Sequence, residues 1–161
     1  MGPLACDAPC PYTGGPQPTR PPHMTRINLI PPAQLVDKHL GAEYRELPRV
    51  YGLVRNAQAR GMHPSDYHTC SAPFLLGPGH VKFFYTRLHW LNSRYAALVA
   101  ECLHRGWRIN HPLPPDHDIH RQWFGNWVPT IADVTLSQAR ITAKLPPPPP
   151  PLALEHQTAT V

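Results

Sequence analysis

The segment MTRINLI opens at Met24 and places a small residue, Thr25, directly behind a methionine. An initiating methionine is normally removed ahead of a residue this small, so translation from Met24 would leave a free α-amine on Thr25. That amine titrates near 7.7–8.0, against about 10.4 for a lysine, and a sizeable fraction is neutral at pH 7. A neutral amine is a nucleophile. It can attack a sugar anomeric carbon or an aldehyde and form a Schiff base. The Met-Thr pair also reads as ordinary loop residues ahead of a folded region.

Glu46 stands in the stretch EYRELPR, residues 43–49. Arg45 and Arg49 are four apart and share a helical face. A carboxylate flanked by arginines is held in its anionic form and is suited to acid–base work. The plainer reading is a solvated charged face. In SQARITAK, residues 137–144, Arg140 and Lys144 repeat the four-residue cation spacing. They could grip phosphates or be solvated. The run DHDIH, residues 116–120, offers metal-ligand types, but its spacing matches neither HExxH nor a zinc ribbon. The aromatic WFGNW, residues 123–127, fits core packing or a loop clasp better than a base-stacking surface.

These residues need elements to hold them, and the pattern is helical throughout. Leu35, Val36, Leu40, Leu47, Val50, Tyr51 and Val54 recur at three- and four-residue spacing. They predict a first helix over about 34–60, preceded by Pro31 and Pro32, kinked at Pro48 and stopped at Gly61. Residues 62–79 form a loop. Val81, Phe84, Tyr85, Leu88, Leu91, Tyr95, Leu98, Val99 and Cys102 predict a second helix over about 80–105, ended by Gly106. Residues 107–129 form an irregular connection. Thr130 and Asp133 suit a capping box that starts a third helix over about 131–145. The expected fold is an all-α single domain of three main helices with long loops.

The 161 residues carry 23 prolines, concentrated in residues 1–22 and in the run Pro146–Pro151. The excess marks a disordered leader, residues 1–23, and a proline-rich tail, residues 146–161, around a domain over 24–145. Net charge is +5, and residues 1–24 hold only Asp7 and Arg20, so the basic balance belongs to the domain. It favours a polyanionic partner. Cys6, Cys10, Cys70 and Cys102 are spaced neither as a secreted disulfide framework nor as a zinc site. No stretch has the length of a membrane span or a signal-peptide core. Met1-Gly2 lacks the serine or threonine at position 6 that myristoylation requires. The expected setting is cytoplasmic and reducing.

MTRINLI, DKHLGAEYRELPRVYG, LLGPGHVKFFY, AECLHRGWRI and SQAR fall in an order that resembles the phage-type pyrimidine dimer DNA glycosylase/AP lyase family, the ultraviolet-repair endonuclease V type. The resemblance spans about residues 24–145. It implies a three-helix enzyme, expected as a monomer, that acts without metal or cofactor on double-stranded DNA containing cyclobutane pyrimidine dimers or abasic sites. By the same resemblance Thr25 is the N-terminal nucleophile and Glu46 the essential carboxylate. Arg26, Arg45, Arg49, Arg140 and Lys144 contact the damaged site or its phosphates, and His39 lies near it. The family chemistry starts at the equivalent of Thr25, so the leader is expected to be a start-site error. The tail LPPPPPPLALEHQTATV departs from the aromatic, basic end of the phage enzyme, which bears on lesion preference. The alternatives are a non-catalytic basic DNA-binding protein on the same fold, and a proline-recognition partner for the tail.

Overall fold

Chain direction is first set by two prolines. Pro31 and Pro32 end an extended segment, residues 27–30, and one 3₁₀ turn, Pro32–Gln34, follows. The computed structural model describes residues 27–67, 73–74, 76–77 and 79–145; the leader, Thr25, Arg26 and the tail lie outside these. Leu35 returns to extended backbone and is buried, so helix α1 begins at Asp37 rather than at residue 34. Asp37 in the first turn complements the helix dipole.

Helix α1, Asp37–Glu46, and helix α2, Arg49–Ala59, are the two arms of the expected kinked helix. Leu47 and Pro48 keep right-handed helical backbone between them. Pro48 has no N–H to donate to the carbonyl of Tyr44, and the chain tightens into i→i+3 bonds, Val50 to Leu47 and Tyr51 to Pro48. Gly61 ends α2 with φ of 75°, a left-handed conformation that glycine adopts without a Cβ clash.

The second expected helix is divided. A single turn, α3, spans His80–Phe83, and α4 spans Leu88–His104. The break at residues 84–87 has a tertiary cause. The N–H of Gly125 donates to the carbonyl of Thr86 at 3.1 Å, and Arg87 forms an isolated antiparallel bridge with Phe124. Backbone groups that would continue the helix are thus taken by the segment around WFGNW. A Cβ on residue 125 would stand 2.2 Å from the Thr86 carbonyl oxygen, so this approach requires glycine. Helix α5, Ile131–Thr142, starts on the expected capping box: Asp133 N–H donates to Thr130 Oγ1 at 3.2 Å, and Thr130 N–H to Asp133 Oδ2 at 2.8 Å.

Leu40, Tyr44 and Leu47 of α1, Val50, Tyr51, Val54 and Ala57 of α2, and Leu88, Leu91, Leu98 and Cys102 of α4 belong to one core. Each fully buried large side chain contributes roughly 1.5–3 kcal/mol. Trp127 joins it through edge and stacked contacts with Phe74, Phe83, Phe84 and Trp90, and Trp123 is fully buried. WFGNW is therefore a packing element.

The DHDIH segment is a latch. Asp118 pairs with Arg55 of α2 at 2.6 Å, Gln58 donates to the Asp118 carbonyl, and Ile119 enters the core. The hydrogen bond from Arg55 holds the Asp118 carboxyl below its ordinary value. Among the described residues no three His, Cys, Asp or Glu side chains group to hold a metal, and no helix is long and apolar enough to cross a membrane.

Candidate active-site cleft

Glu46 closes α1 and is partly buried, its side chain 19% exposed. Oε2 accepts from Arg49 Nη1 at 2.6 Å, across the Pro48 kink. Arg49 is mostly exposed and Arg45 is exposed. Leu47 and Pro48 keep right-handed helical backbone, so residues 46 and 49 lie within one turn of each other. An exposed pair of this kind is worth about 0–1 kcal/mol, so it orients the carboxylate more than it stabilises the fold.

His39 lies seven residues before Glu46 on the same face of α1, about 10.5 Å along the axis. It lines a small cavity, about 40 Å³, together with Asn28, Ala42, Arg140, Ile141 and Lys144. Three of the residues singled out in the sequence, His39 of α1, Arg140 of α5 and Lys144 just after α5, are thus gathered from distant parts of the chain. Helix α5 presents Arg140 to α1 because Ile141 and Ser137, on the neighbouring face, are buried, and Lys144 follows in the turn after the helix. Thr25 and Arg26 lie outside the described residues.

The cavity wall continues into a buried polar cluster. Glu43, one turn before Glu46, has a fully buried side chain. Arg94 of α4 binds it in two places, Nε to Oε1 at 2.8 Å and Nη2 to Oε2 at 3.0 Å. Asn28 donates its backbone N–H to Oε1 at 3.1 Å and its Nδ2 to Oε2 at 2.7 Å. Arg94 Nη1 also donates to the Ile30 carbonyl at 2.7 Å. Arg140 donates to Asn28 Oδ1, Leu29 N–H donates to Ser137 Oγ at 3.0 Å, and Ile27 N–H donates to His80 Nε2 at 3.3 Å. Four helices therefore hold residues 27–30.

Asn28, Glu43, Arg94, Ser137 and His80 escaped the sequence reading. A signal for two of them was present. Glu43 falls between Leu40 and Leu47, and Arg94 between Leu91 and Leu98, at the spacing of the apolar stripes. A charge at a core position requires a buried partner, and these two helices each carry one, of opposite sign.

On the other edge of α1, the Tyr44 hydroxyl accepts the N–H groups of Asn110 and His111, both at 2.8 Å. Tyr95 donates to the His111 carbonyl at 2.7 Å. This pins the irregular connection after α4 against the helix that bears Arg45.

The class that fold and site define is a small, basic, all-α protein with a carboxylate set among cations at one kinked helix. The family model described as pyrimidine dimer DNA glycosylase matches residues 24–115, more than half of the chain, and the protein belongs to that family. It is thus a DNA repair glycosylase of the kind that binds DNA containing pyrimidine dimers. The match takes in α1 to α4 and stops before α5, which bears Arg140 and is followed by Lys144.

Proposed function

We propose that the protein excises cyclobutane pyrimidine dimers and then cuts the strand at the resulting abasic site, using the Thr25 α-amine as nucleophile. Family membership supports the glycosylase step, and one observation carries the rest. The chain three residues after Thr25 is tied to α1 within one turn of Glu46, beside His39, Arg140 and Lys144. An amine on that strand would be delivered to the carboxylate.

In this reading the duplex is opened at the lesion, where damaged bases stack poorly and the cost of displacing a base is low. The neutral amine attacks C1′ of the 5′ nucleotide of the dimer. The glycosidic C1′–N bond breaks, and its electron pair leaves with the base nitrogen, which takes up a proton. Loss of the amine proton and ring opening give an imine at C1′. The imine acidifies the C2′ proton; its removal expels the 3′ phosphate and cuts the strand by β-elimination. Glu46 stabilises the cationic sugar and assists the proton transfers. Arg26, Arg45, Arg49, Arg140 and Lys144 engage phosphates.

The test is borohydride reduction of the protein mixed with dimer-containing duplex. A covalent protein–DNA adduct mapping to Thr25 is expected. An adduct at Lys38 or Lys144, or none on any lesion, removes the mechanism. The phosphate contacts have their own signature. Arg49→Gln or Arg45→Gln should weaken binding and reduce the slope of log affinity against log salt by roughly 1. An unchanged affinity and slope would show that the arginine faces solvent in the complex.

A further inference from the structure

The Glu43–Arg94 pair is dearer than a core requires. Two well-packed apolar residues commonly do as well as a buried ion pair. What an apolar pair cannot do is seize the backbone and side chain of one residue. Glu43 does so: its two oxygens receive four donors, two from Arg94 and two from Asn28. The carboxylate is fully satisfied only with Asn28 in place.

Asn28 stands at a junction. It gives both kinds of donor to α1 through Glu43, and its Oδ1 accepts from Arg140 of α5. It follows Thr25 by three residues, and three residues of extended chain reach at most about 10 Å. Anchoring Asn28 therefore confines Thr25 to a sphere of that radius. Glu43 and Glu46 are one turn apart on α1, with Cβ atoms about 5–6 Å from each other. The anchor thus lies next to the carboxylate that the nucleophile must meet. We propose that Asn28, Glu43 and Arg94 are positioning residues for the reaction: they fix the chain three residues after Thr25 at the turn of α1 next to Glu46 and tie it to Arg140. Ser137 holds the next residue of the strand and belongs to the same device. The inference rests on the reading of Thr25 as nucleophile.

Asn28→Ala, Asn28→Asp and Ser137→Ala test it in the active protein. Thermal midpoint, affinity for dimer-containing duplex, single-turnover base release and borohydride trapping are measured together, well below each variant's melting temperature. Unmodified protein is trapped in parallel; an adduct away from Thr25 there overturns the nucleophile assignment and this proposal with it. With that control at Thr25, Asn28→Ala should release base roughly 100-fold more slowly, the scale of loss from an ångström of misplacement. Affinity should stay within about fivefold, because Arg45, Arg49 and Lys144 are untouched.

Asn28→Asp supplies a signature that stability alone would not. Its carboxyl faces Glu43, Arg94 and Arg140. Ionised, it repels Glu43; protonated, it donates to Glu43 as the amide did. The ionised form keeps the acceptor that Arg140 uses and loses the donor that Glu43 uses, so base release should fall at least as far as in Asn28→Ala while affinity stays within about fivefold. A normal rate in either Asn28 variant, or a rate loss matched by an equal affinity loss, would overturn the proposal. Should both Asn28 variants fail to fold, Ser137→Ala decides, since it removes one oxygen. A rate about 5–10-fold lower at unchanged affinity supports positioning, and an unchanged rate overturns it.

Discussion

Glu46→Gln should all but stop base release, by roughly 10²–10⁴-fold, while lesion binding persists. The substitution keeps the volume of the side chain and an oxygen that can accept from Arg49. The fold should hardly notice, since Glu46 makes one exposed ion pair and fills no core position. What it removes is a full negative charge, which in the proposed mechanism acts only when the sugar becomes cationic. An interaction made only in the transition state lowers kcat and leaves ground-state affinity alone. Single-turnover kinetics on dimer-containing duplex, with an equilibrium binding assay beside it, separate the two. Near-normal turnover would mean that another group carries the proton transfers. Glu43 is a poor substitute: its oxygens are fully buried and already receive four donors.

Protein that retains residues 1–24 should have lost lyase activity almost entirely beside protein whose chain begins at Thr25. In the longer form the Thr25 nitrogen is an amide, whose lone pair is delocalised into the carbonyl. An amide nitrogen forms no imine. The leader carries seven prolines and three glycines in its first 23 residues and offers no apolar face to a core, so it would not compensate by building a second site. In the proposed mechanism the active form is the one whose chain begins at Thr25. Intact mass of the protein from its own host, followed by activity of the two forms on one duplex, checks this. Full lyase activity from a chain shown by mass to keep Met1–His23 would move the nucleophile to a lysine.

Much of this protein was legible before any coordinates. Local chemistry decided the ends of its helices: Gly61 and Gly106 stop α2 and α4 in left-handed backbone, and Thr130 with Asp133 starts α5. Pro48 decided the kink, because a missing donor acts wherever the residue sits. The four-residue spacing of Arg45 with Arg49 and of Arg140 with Lys144 could be read from the sequence, although Pro48 sets the first pair on two helices and α5 ends at Thr142, before Lys144.

Tertiary structure alone decided what depends on residues far apart. The second helix breaks at residues 84–87 because Phe124 and Gly125 claim the backbone there, and no local preference of that stretch announces it. DHDIH carries the residue types of metal ligands, yet a surface ion pair to Arg55 and the buried Ile119 make it a latch on α2, while Trp123 and Trp127 pack into the core. The charges at Glu43 and Arg94 could be seen as misplaced in their stripes, but not that Asn28 completes the pair. A buried charge states that a partner is required, and only the packing of α1 against α4, with the strand at residues 27–30 held beside them, says which one it is.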